Sequence, residues 1–168
     1  MKKTAIFYGS TTGTTEKVAE TIAEKLGIAA QHVYNVAETA PSALGGYTNL
    51  IFGTSTWGDG EEQEDWYDFL DGVEELDLRG KRIALFGLGD ETMADTFCNG
   101  VGELRKRLDG TGAQFIGSYP ANVYKFRTSK AIGPDGQPFG LLLDQVNHPD
   151  LTDGRIDGWL LSLTRFLN

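Results

Sequence analysis

The sequence predicts an α/β fold: a doubly wound three-layer sandwich around a five-stranded parallel sheet, as one domain over residues 1–168. Two observations carry this. Short apolar runs, several closed by glycine, alternate with longer stretches whose apolar residues recur at helical spacing. That is how strands covered by helices on both faces read. The length of 168 residues then accommodates about five strand–helix units, and no repeat, low-complexity tract or linker interrupts them.

Ala5-Ile6-Phe7-Tyr8 is a buried parallel strand that ends at Gly9. Val18, Ala19, Ile22, Ala23 and Leu26 share one face of the helix behind it, and Gly27 stops that helix. Val33-Tyr34-Asn35-Val36 is a weaker strand, and Pro41 to Gly45 allows one short helix. Leu50-Ile51-Phe52-Gly53 is the next buried strand, followed by a polar, glycine-rich turn up to Glu61. Trp66, Phe69, Leu70 and Val73 make an amphipathic helix. Ile83-Ala84-Leu85-Phe86 is the fourth strand, and Phe97, Val101, Leu104 and Leu108 line the helix behind it. Phe115-Ile116 opens a fifth strand, residues 120–138 interrupt it as an insertion, and Phe139-Gly140-Leu141-Leu142-Leu143 resumes it. Ile156, Trp159, Leu160, Leu163 and Leu167 line a last helix.

Charge and cysteine usage narrow the function. Twenty-four acids against 15 Lys and Arg leave a formal charge of −9, which repels phosphate backbones and argues against a nucleic-acid partner. Thirteen of those acids lie between residues 57 and 95, beside three bases. Such a run reads either as a solvated helix face or as an acidic docking face that steers a basic partner. One cysteine, Cys98, excludes a disulfide framework and fits a reducing, cytoplasmic setting. The apolar residues before Gly9 are too few for a signal peptide, and no run approaches the ~18 needed for a membrane span.

In such sheets ligands bind beyond the carboxyl ends of the strands, and three loops leave those ends with unusual composition. Ser10-Thr11-Thr12-Gly13-Thr14-Thr15 packs five hydroxyls around one glycine at the start of a helix. A helix N-terminus carries unpaired N–H groups and about half a positive charge, so this loop suits an anion. A simple N-cap needs one or two hydroxyls rather than five. The loop is neither a Walker P-loop nor a G-x-G-x-x-G loop, and Lys17 is the nearest cation. A phosphate here is held by dipoles and hydroxyls, which suits a bound monophosphate better than a triphosphate with Mg²⁺. In Ser55-Thr56-Trp57-Gly58-Asp59-Gly60-Glu61 a tryptophan flanked by glycine can cover a planar ring. In Gly87-Leu88-Gly89-Asp90-Glu91-Thr92-Met93 the glycines allow a ligand close to the backbone.

Taken together, these three loops and the late Gly-Leu-Leu-Leu-Asp and Leu-Thr-Asp-Gly-Arg-Ile segments resemble flavodoxin over essentially the whole chain. The insertion at 120–138 resembles the long-chain subgroup. The resemblance implies strand order 2-1-3-4-5 and a non-covalently bound FMN cofactor. It also implies a low-potential one-electron carrier, monomeric and without a substrate reaction of its own, that shuttles between semiquinone and hydroquinone. Its partners would be a flavodoxin/ferredoxin reductase-type donor and a low-potential acceptor enzyme. Carried over residue by residue, Ser10, Thr11, Thr12, Gly13, Thr14 and Thr15 hold the phosphate, and Thr56 borders the ribityl chain. Trp57 lies on one flavin face, the Gly58-Asp59 peptide is next to N5, and Ser55 and Gly60 of the same loop are cofactor-binding residues too. Leu88, Gly89 and Asp90 approach the pyrimidine edge, with Phe97 and Cys98 nearby. Where many flavodoxins place a tyrosine over the second face, this chain offers Met93 in a shorter loop. Thr14 stands where some relatives carry lysine.

An electron carrier needs no acid or base of its own, and His32, His148 and Cys98 read as surface or packed residues; no metal site is expected. Asp59, Glu61, Asp90, Glu91 and Asp95 are expected to crowd the ring with negative potential. The alternative on the same fold is a flavin-dependent NAD(P)H:quinone reductase, for which the shortened Met93 loop would make room. A response-regulator module would need paired acids after the first strand, and Tyr8-Gly9-Ser10 has none.

Overall fold

A computed structural model describes residues 3–168. The strands are β1 (Thr4–Tyr8), β2 (Val33–Asn35), β3 (Asn49–Thr54), β4 (Thr56–Trp57), β5 (Glu61–Glu62), β6 (Arg82–Leu88), β7 (Gln114–Ile116) and β8 (Gly140–Leu143). The helices are α1 (Thr14–Leu26), α2 (Trp66–Glu74), α3 (Asn99–Leu108) and α4 (Pro149–Leu167). The main sheet runs β2-β1-β3-β6, and both β7 and β8 pair with β6, all in parallel. Gln114–Ile116 pairs with Arg82–Ala84, and Gly140–Leu143 continues along Leu85–Leu88. The fifth position is therefore one strand in two pieces, with the insertion looping out between them, as the sequence predicts.

Alternation along the strands divides the core in two. Phe7, Leu50, Phe52, Ile83 and Leu85 point to the face covered by α2 and α3. Ile6, Ile51, Ala84 and Phe86 point to the face covered by α1 and α4. A strand buried on both sides must be apolar at every position, and β3 is buried throughout. Lys25 of α1 ties the second layer together through Asp153 and Asp157 of α4, at 3.0 and 2.7 Å.

Two local expectations change. The glycine-rich turn after β3 is an antiparallel ribbon, β4 with β5, pairing Thr56 with Glu62 and Trp57 with Glu61. The helix after β6 starts at Asn99, so Phe97 stands in the preceding turn instead of on the helix. Cys98 closes that turn in the left-handed region, at φ 53°. The short helix expected from Pro41 forms as a 3₁₀ helix, Pro41–Gly46. No helix among the described residues is long and apolar enough to cross a membrane.

Candidate functional site

All three loops emerge from the same edge of the sheet, around the point where chain order reverses between β1 and β3. The loop before α1 turns at Gly13, which sits at φ 88°. The first four N–H groups of a helix have no acceptor within it. Ser10 Oγ accepts two of them, from Gly13 at 3.1 Å and Glu16 at 3.4 Å. The N–H groups of Thr14 and Thr15 keep no protein acceptor among the described residues. Thr12 and Thr14 hydroxyls lie 3.3 Å apart, while Thr15 is buried at the helix base. Glu16, the acid of the first turn, is drawn aside by the Tyr8 hydroxyl, which donates to it at 3.0 Å. Burial and this neighbouring carboxylate push the Tyr8 phenol up to about 12.

Next to this loop runs a cleft of about 200 Å³. Thr14 lies at one end, Ser55, Thr56, Trp57 and Gly58 form one wall, and Leu88, Gly89, Asp90 and Met93 form the other. Trp57 is 43% exposed, and its indole N–H donates to Ser55 Oγ at 2.6 Å, which fixes the ring at the cleft rim. The facing Met93 is 55% exposed. Gly89 must be glycine for packing reasons: a Cβ there would stand 2.6 Å from the Cys98 backbone nitrogen and 2.9 Å from its sulfur. The glycine lets the β6 end press against the turn before α3 and leaves a flat backbone wall.

The sequence-predicted residues divide accordingly. Thr14 of the first loop, Ser55 to Gly58 of the second, and Leu88, Gly89, Asp90 and Met93 of the third line one cleft, whereas the rest of the 10–15 loop lies beside it and Asp59 and Gly60 belong to the ribbon tip beyond its lining. Phe97 and Cys98 are wholly buried behind Gly89 and do not line the cleft. Phe97 stacks on Phe126 of the insertion at 4.8 Å. Burial pushes the Cys98 thiol far up, so it stays a packed thiol.

The expected crowd of negative charge is thinner than the sequence suggests. Asp95 pairs with Arg127 of the insertion. Asp90 accepts from Thr92 and from Asn147 at 2.8 Å, and these bonds hold its carboxyl below the usual range. Glu91 bonds His148 and the Lys125 N–H. Asp59 and Glu61 on the exposed ribbon remain the acids most open to solvent near Trp57.

Several residues at the site escaped sequence reasoning. Gln63, 1% exposed, donates to Thr11 Oγ1 at 3.2 Å and to Asp65 at 2.6 Å, while its N–H donates to Thr54 Oγ1 at 2.9 Å. It thereby joins the first loop to the second. Thr96, Gln145 and Val146 complete the cleft wall. Asn99 supports Gly60 from beneath and accepts from the Lys130 N–H at 2.7 Å.

Glu62, on β5 of the ribbon and buried against the start of α3, gives a pH test. Burial, with like charge from Glu103 and Glu61, pushes its carboxyl above the ordinary range. A raised folded value means the folded state binds the proton more tightly, so stability falls as pH rises from the ordinary value through the raised one. Glu62→Gln is expected to raise stability at pH ~7 by about 1 kcal/mol. The gain should vanish near pH ~3, where this carboxyl is protonated in both the folded and the unfolded state, as urea midpoints at the two pH values will read.

A doubly wound sheet in order 2-1-3-4-5, with hydroxyl-rich helix N–H groups beside a cleft rimmed by tryptophan, defines an α/β protein that seats its ligand at the switch point. Comparison with known proteins names the family. The flavodoxin family model matches residues 6–159, and the chain belongs to the flavodoxin family. Flavodoxin 1 of Salmonella typhimurium is 38% identical over all of this chain and 96% of its own length. Flavodoxin 2 of Escherichia coli is 40% identical over 92% of this chain and 90% of its own. Among solved structures, Fusobacterium nucleatum flavodoxin bound to flavin mononucleotide superposes with a TM-score of 0.89 at 29% identity, covering 100% of both chains. Family members of this kind are electron-transfer flavoproteins, not substrate-converting enzymes.

Proposed function

We propose that the chain, acting as one monomeric unit over residues 1–168, binds FMN non-covalently in this cleft and carries single electrons at low potential. The observation that carries the reading is the joining of a helix N-terminus with two N–H groups free among the described residues, those of Thr14 and Thr15, to a tryptophan-rimmed cleft on one edge of the sheet. The residues fit the cofactor. N–H groups of Thr14 and Thr15, with the Ser10, Thr11 and Thr12 hydroxyls, suit a phosphate without a cation. Ser55 and Thr56 border the linking chain, Trp57 offers one aromatic face, and Met93 offers a soft thioether to the other. The Gly58-Asp59 peptide stands near N5, and Leu88, Gly89 and Asp90 form the pyrimidine-side wall. Bound FMN supplies the redox chemistry, moving between its one-electron-reduced and fully reduced levels, and the protein tunes it.

Two features of this chain do the tuning, and a third steers its partners. Gly58 sits at φ 53°, where a turn in its peptide costs little. Asp59 and Glu61 place negative charge on the ribbon, opposing a further electron. The remaining exposed acids of 57–95 steer basic-faced partners, a reductase-type donor and a low-potential acceptor enzyme, in a cytoplasmic setting.

Saturation with FMN followed by dialysis is expected to leave a yellow protein with one flavin per chain. On stepwise anaerobic reduction a long-wavelength band should rise and then fall. Gly58→Ala should lower that band by about half or more, because a Cβ there stands 3.0 Å from Glu61 Oε2 on backbone already in the left-handed region. A colourless dialysed protein would refute the reading, and an unchanged band in Gly58→Ala would refute the role of its peptide.

A further inference from the structure

We propose that Glu91 and His148 form a clamp that positions the far wall of the cofactor cleft, so that loss of the His148 proton loosens FMN binding. The proposal rests on the cleft being the FMN site. Glu91 follows β6 on the loop that carries Asp90 and Met93, and His148 opens α4 after the turn that carries Gln145 and Val146. Their contact is direct, His148 Nε2 to Glu91 Oε1 at 2.6 Å. The other Glu91 oxygen accepts from the Lys125 N–H at 2.7 Å, so a single carboxylate holds three segments: the loop after β6, the turn before α4 and the insertion.

Beneath it, Asp144 is wholly buried and fixes the same junction. It accepts from the N–H groups of Glu91, Val146 and Asn147, each at 2.9 Å, and from the Asn147 side chain at 2.9 Å. Asn147 in turn donates to Asp90 at 2.8 Å. The two exposed apolar residues of this wall, Met93 and Val146, have no deep anchor of their own. Their separation is set by the clamp between the loops that carry them.

The charge around the imidazole favours its proton. Glu91 faces it from the loop after β6, Asp144 from the turn and Asp150 from its own helix. The insertion adds the neutral Tyr124 ring at 5.9 Å and the Lys125 backbone, with Arg155 behind that ring. The Glu91 hydrogen bond is the largest influence and raises the His148 ionisation above its ordinary value. Below the ordinary histidine value the pair joins an imidazolium to a carboxylate; as pH rises through the raised value the imidazole becomes neutral and its bond to the still-ionised Glu91 weakens. Glu91, Asp144 and His148 are also close enough to hold a metal ion. Both Asp144 oxygens already accept two hydrogen bonds each, however, so the arrangement is complete as a hydrogen-bonded clamp.

The test measures FMN dissociation constants by flavin fluorescence for the wild type, His148→Gln and Glu91→Gln at about pH 5.5 and about pH 8.5. The FMN phosphate titrates in this range too, but equally in all three proteins. The wild-type constant relative to that of His148→Gln is expected to rise about threefold to thirtyfold between the two pH values. By reciprocity, FMN should raise the His148 ionisation seen by imidazole NMR by the same factor, and Glu91→Gln should return it toward the ordinary value. A ratio that stays constant with pH, or an imidazole titration unmoved by Glu91→Gln, overturns the clamp while leaving FMN binding intact. Failure of all three proteins to bind FMN overturns the cofactor reading and the proposal with it.

Discussion

Thr14→Glu is expected to weaken FMN binding about a hundredfold, and Thr14→Lys to tighten it several-fold, with titration of flavin fluorescence as the measurement. Thr14 is the first residue of α1, lies at one end of the cleft and shares its hydroxyl with Thr12 at 3.3 Å. Neither the 10–15 loop nor its bonds include a cationic side chain, so a phosphate dianion there depends on N–H groups and hydroxyls alone. A new carboxylate a few ångströms from that dianion costs about 2–3 kcal/mol at the effective dielectric of a protein surface, which is roughly a hundredfold in affinity. The fold should not suffer. A glutamate at a helix N-terminus favours the helix dipole by about 0.3–1 kcal/mol, so lost binding cannot be ascribed to unfolding. Thr14→Val should cost only the hydroxyl, about tenfold or less. Salt separates the contributions: the gap between Glu and Lys variants should narrow as the Debye length shrinks to about 3 Å at 1 M. If both charged variants bind FMN as the wild type does, the phosphate does not lie at this helix.

How much of this was legible in the sequence depends on distance along the chain. The hydroxyl run at 10–15, Trp57 and the glycines of both later loops are local signals, and their physical meaning survives without knowledge of the fold. The order and burial of β1, β3 and β6 were equally legible, because a strand covered on both faces must be apolar at each position. The β4–β5 ribbon was not, since two-residue strands are shorter than any detectable alternation. Phe97 was assigned to a helix because its spacing to Val101 fits one. Its burial comes instead from the insertion, through Phe126, 29 residues away in the chain and invisible to local periodicity. Gln63 carries no motif at all; its role follows from the approach of β1 to β3, which places Thr11 and Thr54 on either side of it. The acids near Trp57 show the converse failure. Counted in sequence they form one negative patch, yet Arg127 and His148 arrive from distant segments and take up Asp95 and Glu91.

Trp66→Ala is expected to lower the stability of the FMN-free protein by about 3–5 kcal/mol, read from urea unfolding followed by circular dichroism. Trp66 is fully buried at the first turn of α2 and packs on Phe52 at 5.3 Å and Phe69 at 5.6 Å. Its indole N–H donates to the Gly53 carbonyl at 3.0 Å, and the Gly9 N–H donates to the same oxygen at 3.1 Å. The side chain therefore fixes the ends of β1 and β3 together, the two strands from which the first and second loops spring. Against a typical total of about 5–15 kcal/mol, the loss brings the FMN-free protein near its limit. FMN at about a hundred times its dissociation constant would restore about 2.7 kcal/mol, provided the cleft still closes. Trp66→Phe divides volume from hydrogen bonding. Phenylalanine keeps most of the ring contact and leaves the Gly53 carbonyl its Gly9 partner, so the cost should fall to about 1–2 kcal/mol. Equal losses in both variants would mean that the indole N–H, rather than the bulk it brings, joins the two strand ends. The FMN affinity of Trp66→Phe would then have to fall as well, since the loops would splay with the strands that carry them.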